Sequence, residues 1–294
     1  MRKKAIVTLS LFIGLGFASV YGQDSTLLDL LDDSSTQLNI EPVRSTFKAT
    51  QIVNTPTIES PAQNALQFMI MHRFGRINEG GYALFGLDNA TIRFAFDYGI
   101  TDKLAIGIGR SSFEKVYDAS IKWKIIRQQG NRYPVSVSAF GMIANTRLKY
   151  SDKPYLNTRL RTMYTSQLLI ARKFSNNLSL QLTPSWIHFN LVPTAQDKND
   201  VFALGLGGRM KVSNRISINA EYNYLLPEQL ISNSLSNSLS AGIDIETGGH
   251  VFQLIFSNSQ GMIPPYYIAK TDGQWGKGDI YFGFNITRIF NLKR

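Results

Sequence analysis

Residues 178–186 read LSLQLTPSW, and apolar and polar side chains alternate along this stretch. Leu180, Leu182 and Trp186 share one face of an extended chain, while Ser179 and Gln181 share the other. Alternation with a period of two is the pattern of a β-strand whose two faces meet different surroundings. Residues 280–287 repeat it, because IYFGFNIT also places large apolar residues on one face and smaller or polar ones on the other.

Twelve segments of this kind follow one another from residue 64 onward. Their lengths are close to the roughly nine to eleven residues that a tilted transmembrane strand needs. The sequence therefore predicts an all-β fold, an antiparallel up-and-down transmembrane β-barrel of about twelve strands. The predicted strands are residues 65–74, 90–98, 103–110, 116–126, 134–145, 160–173, 178–190, 201–212, 215–225, 237–246, 250–258 and 279–290.

The links between these segments alternate in length. Links after even-numbered strands are short, apart from a slightly longer one at 127–133, whereas links after odd-numbered strands are long, except 111–115. Membrane barrels have short periplasmic turns and longer external loops, which explains the alternation. A soluble β-sandwich is the alternative fold. It gives no reason for link length to follow strand number, so the membrane barrel is favoured.

The chain begins with the pattern of a secretory signal. Arg2, Lys3 and Lys4 precede an uncharged apolar stretch over residues 5–20, and small or polar residues follow it. This pattern predicts Sec-type export with cleavage near Gly22, and a destination in the cell outer membrane. No later apolar run reaches the roughly eighteen residues of a membrane helix. The predicted organisation is a signal peptide at 1–22, a leader at 23–63 and the barrel at 64–290.

The leader differs from the rest in composition. Residues 23–41 are acidic, and residues 27–31 carry a short apolar patch of four leucines. We expect a flexible periplasmic leader. A short amphipathic helix, a partner-binding peptide and a plug remain open alternatives. Residues 45–53, STFKATQIV, are a candidate for an extended segment that lies beneath or inside the barrel.

Composition narrows the function classes. The chain has no cysteine, which excludes a lipid-modified cysteine, disulfides and thiolate metal sites. Its formal net charge is +10, but the basic residues are scattered and export separates the protein from nucleic acid. The expected partners are outer-membrane lipid and either a small anionic solute or an envelope protein, with no nucleic acid. No cofactor is expected.

Several charged residues alternate with apolar ones inside the predicted strands. An Arg or Lys facing lipid at the membrane midplane costs about 2–4 kcal/mol, so we expect these side chains to point into the barrel. They would line a water-filled channel that orients a solute, or form an ion-pair network that fills a narrow lumen. The lumen-lining candidates are Arg93, Asp97, Asp118, Lys122, Lys124, Glu221, Asp244 and Glu246.

No catalytic or metal-binding residue is predicted. His72 and His188 fall near the external ends of strands one and seven, which lie far apart, and His250 follows a periplasmic turn. None has metal-ligand spacing with another. An outer-membrane lipid hydrolase is the enzyme alternative, with His72 as base and Ser111 or Ser112 as nucleophile. The Gly-x-Ser-x-Gly motif that would support it is absent. Gly107 and Gly109 suggest wall bends or close approaches rather than a phosphate loop.

Several longer motifs resemble a known family. They include HRFG at 72–75, DYGIT at 97–101, GIGRSS at 107–112, DIETGGHVFQL at 244–254 and FGFNITRIF at 282–290. Together they are similar to a family of outer-membrane β-barrel proteins from Bacteroidetes that is catalogued as a domain of unknown function, from about Ser45 to Phe290. The resemblance implies a barrel and no established activity. A channel for small solutes and an envelope scaffold remain open as functions, and an adhesion or complex-anchoring protein is a further alternative.

Overall fold

The computed structural model describes residues 41–130, 132–149, 151–232, 234–247 and 249–292. The predicted signal peptide, its cleavage site and leader residues 23–40 lie outside these residues. Among the described residues, no helix is both long and apolar enough to cross a membrane.

Twelve antiparallel strands form one closed barrel in which each strand pairs with its neighbours in the chain and β1 pairs with β12. The predicted fold and strand number are confirmed. The strands are β1 (Ala65–Arg76), β2 (Ala90–Gly99), β3 (Leu104–Ser111), β4 (Val116–Ile126), β5 (Ser136–Thr146), β6 (Thr162–Lys173), β7 (Leu178–Phe189), β8 (Asp200–Lys211), β9 (Ile216–Leu225), β10 (Ser238–Thr247), β11 (His250–Ser257) and β12 (Tyr281–Asn291).

The barrel wall is apolar outside and largely polar inside. In β7, Leu178, Leu180 and Leu182 are exposed on the outer face, while Ser179 and Gln181 are buried against the lumen. This inverts the arrangement of a soluble protein. An apolar outer face suits contact with lipid. In lipid every backbone N–H and C=O must be paired within the protein, and a closed sheet leaves no unpaired edge. The β-sandwich alternative is therefore wrong.

Link lengths divide the barrel into two ends. The links at 100–103, 127–135, 174–177, 212–215 and 248–249 lie at one end, which we call the periplasmic end after the predicted orientation. The longer links at 77–89, 147–161, 190–199, 226–237 and 258–280 lie at the opposite, external end, together with the short link 112–115.

Two segments outside the wall occupy the lumen. The first, residues 43–64, is named the re-entrant segment, and much of it is buried inside the barrel. The second, residues 258–280, is named the plug loop; it contains one α-helix, α1 (Pro264–Ala269), whose six residues are all buried. Residues 43–63 of the predicted leader thus pack with the barrel, as expected for residues 45–53, because the wall supplies hydrogen bonds to their backbone.

Candidate functional site: the lumen

The re-entrant segment enters and leaves at the periplasmic end. The Val43 amide donates to the Gln128 carbonyl in the β4–β5 link at 2.8 Å, and the Asn64 amide donates to the Gly99 carbonyl at 2.8 Å. Between these points the chain reverses in a turn, in which the Ile52 amide donates to the Thr55 carbonyl at 2.9 Å. The segment is therefore a hairpin-like loop whose tip, residues 52–55, reaches into the barrel.

Glu221 of β9 holds this tip. Its carboxylate accepts hydrogen bonds from three successive backbone amides, those of Val53 at 3.1 Å, Asn54 at 2.9 Å and Thr55 at 2.9 Å. Glu221 is only 2 % exposed. Successive backbone N–H groups in a turn form an anion-binding concavity, and a buried charge needs such partners to offset its lost hydration. The backbone amides of the tip therefore form a binding site for the Glu221 carboxylate.

Three other strands, β1, β11 and β12, also bind the tip. The Arg73 guanidinium of β1 donates to Asn54 Oδ1 at 2.8 Å and to Asn285 Oδ1 at 3.0 Å. Asn285 of β12 in turn donates to the Val53 carbonyl at 3.0 Å, and Gln253 of β11 donates to the Ile52 carbonyl at 2.9 Å. Arg73 is fully buried, so its charge relies on this network for compensation.

The returning half of the segment is bound by β4 and β7. Lys122 Nζ donates to the carbonyls of Thr57 at 2.8 Å and Glu59 at 2.7 Å. The Gln181 side chain donates to the Pro56 carbonyl at 2.7 Å and accepts from the Ile58 amide at 3.1 Å. In these contacts the wall recognises backbone atoms of the segment rather than its side chains.

A buried ion pair lies in the wall beside the segment. Arg93 Nη2 is 2.6 Å from Asp118 Oδ1, and both side chains are almost inaccessible to water. Asp97 on the same face accepts a hydrogen bond from Gln67 at 3.3 Å. A Cβ on Gly109 would lie 2.4 Å from Arg93 Nη2, so a larger residue here would displace the Arg93 side chain from its place beside Asp118. The interpretation of Gly109 as a close-approach position agrees with this geometry.

A second ion cluster lies near the periplasmic end. Arg209 of β8 hydrogen-bonds Glu246, and its Nε atom is 4.0 Å from Asp244 Oδ2. Asp244 also accepts a hydrogen bond from Gln253 at 2.8 Å. Lys124 is half-buried near this end of β4, on the face of Asp118 and Lys122. All eight sequence-derived candidates thus lie on inward faces, and seven of them have hydrogen-bond or ion-pair partners named above.

The plug loop closes the external half of the lumen. Pro264 starts α1, a position where the missing N–H of proline costs nothing. Tyr266 packs edge-on against Phe113 with ring centroids 5.5 Å apart, and the helix contacts β6 and β9. A cavity of about 40 Å³ remains where the tip approaches the start of α1, next to Arg93 and Asp97. It has room for a few water molecules but not for an organic solute.

Sequence reasoning missed part of this lumen. Arg73 and Arg209 obey the same alternation as the eight candidates, since each stands between outward-facing neighbours, so strand parity was sufficient to find them. Residues 45–53 of the re-entrant segment were a candidate for a position beneath or inside the barrel. The returning half was not predicted, because its hydrogen bonds come mainly from its backbone and leave no side-chain signature. Helix α1 has no such signature either. Its sequence PPYYIA lies in a link from which only the length was used, as a mark of an external loop.

The residues of the lipid-hydrolase alternative do not form a catalytic pair. His72 faces outward on β1 and stacks on Phe284 with ring centroids 4.9 Å apart. It pairs across the sheet with Ile92 of β2, and the Ile92 amide donates to Ser112 Oγ at 2.8 Å. Strand β2 therefore lies between His72 and Ser112. Ser111 Oγ accepts a hydrogen bond from the Phe113 amide at 3.1 Å.

Among solved structures, the chain is similar to several porins. It is similar to the NanC porin with 8 % identity, covering 78 % of this chain and 100 % of that one at a TM-score of 0.47. The KdgM porin in complex with disordered oligogalacturonate shows 7 % identity over 77 % and 99 % of the two chains, also at 0.47. The outer membrane protein Omp33 of Acinetobacter baumannii shows 9 % identity over 78 % and 99 %, at 0.40.

No curated protein matches the chain in sequence. A family described as a membrane bound beta barrel domain, DUF5777, matches residues 47–290. The match starts inside the re-entrant segment and ends in β12, so it spans the barrel and most of the segment that fills it. The predicted resemblance to a barrel family and the predicted membrane location are thereby confirmed. The chain belongs to this family of membrane-bound β-barrel domains, whose function is unknown.

Proposed function

We propose that the protein is a gated outer-membrane channel for small solutes, and that this structure is its closed state. The observation that carries the proposal is the occupant of the lumen. The occupant is a loop of the chain that the wall holds largely through hydrogen bonds to its backbone. Water entering the lumen can replace such bonds, each of which contributes about 0.5–1.5 kcal/mol net, or about 1.5–3 kcal/mol where one partner is charged. The segment can therefore leave while the sheet stays paired.

The charged wall supports the same proposal. With the segment displaced, Glu221, Arg73 and Lys122 would lose their partners on the segment and face an aqueous passage with charges of both signs. Such a passage orients a charged solute during transit. In the closed state these groups bind the segment instead, so one set of residues serves both states.

Single-channel recording in planar bilayers tests the proposal. We expect the wild type to be closed most of the time and Glu221→Gln to open more often, because the neutral amide is a weaker acceptor for three amides. Ser217→Ala is the matched control, since Ser217 is also a buried residue of β9 and its hydroxyl has no hydrogen-bond partner among the described residues. Folded protein that never conducts, in any of the three forms, would contradict a channel.

The filled lumen also favours a second candidate, a non-conducting scaffold for envelope partners. In that case the re-entrant segment is a permanent part of the core, and Glu221→Gln lowers the stability of the barrel without any current. The same recordings, paired with a stability measurement, separate the two candidates. Neither candidate includes enzymatic activity, in keeping with the separation of His72 from Ser112 by strand β2.

A further inference from the structure

A second cavity lies at the external end, above the closed lumen. We name it the external vestibule; its volume is about 420 Å³, and its walls come from the β5–β6, β7–β8 and β9–β10 links and from the plug loop. Met163 and Phe189 of the wall and Ala269 of α1 line it. Ligand sites in proteins usually have volumes of about 300–1,000 Å³, so a small organic molecule fits here.

One side of the vestibule is apolar. Leu160, Leu191, Val192 and Leu230 contribute to it, and Leu191 keeps 46 % of its surface exposed. These side chains belong to external loops, where they face water rather than lipid. Their burial by a ligand with an apolar body would be favourable by about 25 cal/mol for each Å² removed from water.

The charged residues of the vestibule are mostly basic. Lys153, Arg161 and Lys270 line it, against a single acidic residue, Glu114. Lys270 Nζ lies 3.3 Å from Glu114 Oε2 and 4.5 Å from the centre of the Tyr266 ring, and 39 % of its side chain is exposed. Three cations against one carboxylate leave a positive excess, which favours an anionic group on the ligand.

We propose that the external vestibule binds a small organic anion with an apolar body. Lys270 contacts the anionic group, and the leucine-rich side holds the body. This proposal rests on the gated channel and deepens it, since it names the class of solute and its first binding position. A ligand placed there touches Ala269 and Lys270, which belong to the plug loop, so binding is coupled directly to the segment that closes the external end.

Titration calorimetry on the folded barrel in detergent tests this, with 3-phenylpropionate as the probe. We expect saturable binding to the wild type and about tenfold weaker binding to Lys270→Gln, the loss that corresponds to one charge-assisted hydrogen bond. Lys198→Gln is the matched control, because Lys198 is an exposed lysine of the same β7–β8 link that does not line the vestibule. Its affinity should equal that of the wild type.

A neutral probe tests the role of the ligand's charge on the wild-type protein alone. The amide 3-phenylpropanamide has the same body without the charge, and we expect it to bind the wild type about tenfold more weakly. Equal binding of acid and amide, equal binding to wild type and folded Lys270→Gln, or no saturable binding of the acid would each overturn the proposal. These results are independent of conductance, so a channel without this site is distinguishable from a site without a channel.

Discussion

Buried charges are the distinguishing residues of this lumen, and each is stabilised by specific partners. Glu221 is bound by three amides, Arg73 by two amide side chains and Arg93 by Asp118. A buried ion pair adds little net stability over an apolar pair, but removing one partner leaves an uncompensated charge. The effect of a substitution here therefore depends on whether it removes one charge or both.

The Arg93–Asp118 pair allows this dependence to be measured. Asp118→Ala leaves the guanidinium buried alone, and we expect the free energy of unfolding to fall by about 3–5 kcal/mol. Arg93→Met combined with Asp118→Leu removes both charges and should recover most of that loss. Urea unfolding in detergent, followed by tryptophan fluorescence, measures both variants. If the double variant is as unstable as the single one, the loss has another cause.

Asp197 in the β7–β8 link provides a prediction about pH. Hydrogen bonds from Ser232, from Thr194 and from the Ile231 amide lower the pKa of Asp197 below the usual carboxyl value of 3.8. Because the folded pKa is lowered, the stabilisation is complete above 3.8 and decreases as the pH falls from there towards the folded value. The contact between the 190–199 and 226–237 links should therefore loosen in acid.

Limited pepsin digestion detects this loosening. Cleavage within residues 226–237 should accelerate for the wild type between about pH 4 and about pH 2. Asp197→Asn has no carboxylate to protonate, so its cleavage should be faster at the higher pH and change less across the range. Identical acceleration in the two proteins would show that Asp197 does not hold these links together.

At the scale of elements, the wall was predictable, whereas its contents were predictable only in part. Alternation identified every strand and assigned Glu221 and Asp244 to the inner face, because a strand has one choice of face for each residue. The re-entrant segment is bound through N–H and C=O groups that any sequence carries. Its buried Phe47, Ile52, Val53 and Ile58 follow no regular period. The sequence therefore left open whether the segment lies beneath the barrel or inside it.

Two adjacent glycines of β8 test whether the tip belongs in the lumen. A Cβ on Gly207 would lie 2.5 Å from Ile52 Cδ1, whereas one on Gly208 would meet the outward-facing Leu180 at 2.6 Å. Gly207→Val should therefore displace the tip, while Gly208→Val leaves it in place. Overpacking costs about 1–3 kcal/mol, so amide hydrogen exchange at residues 52–55 should accelerate about fivefold or more in Gly207→Val. Equal exchange in the two variants would place the tip elsewhere.

At the scale of the whole molecule, the closed sheet explains both the membrane location and the interior. A barrel in lipid needs no apolar core of its own, because its apolar face is turned outward. A twelve-stranded barrel is wider than those that wall side chains alone can fill. In this chain the remaining space is filled by the re-entrant segment from one end and by the plug loop from the other. The even strand count and the alternation of link lengths predicted the closed sheet. The width of the lumen did not by itself determine which part of the chain fills it.

The central claim is that the re-entrant segment lies inside the closed barrel, and a disulfide trap tests it most directly. Asn54 Nδ2 is 3.2 Å from Ser240 Oγ, and the chain has no native cysteine to interfere. Asn54→Cys combined with Ser240→Cys should form an intramolecular disulfide on mild oxidation in membranes, and should hold the channel closed until it is reduced. If both thiols stay free in the folded barrel and react with a maleimide, the segment does not occupy the lumen.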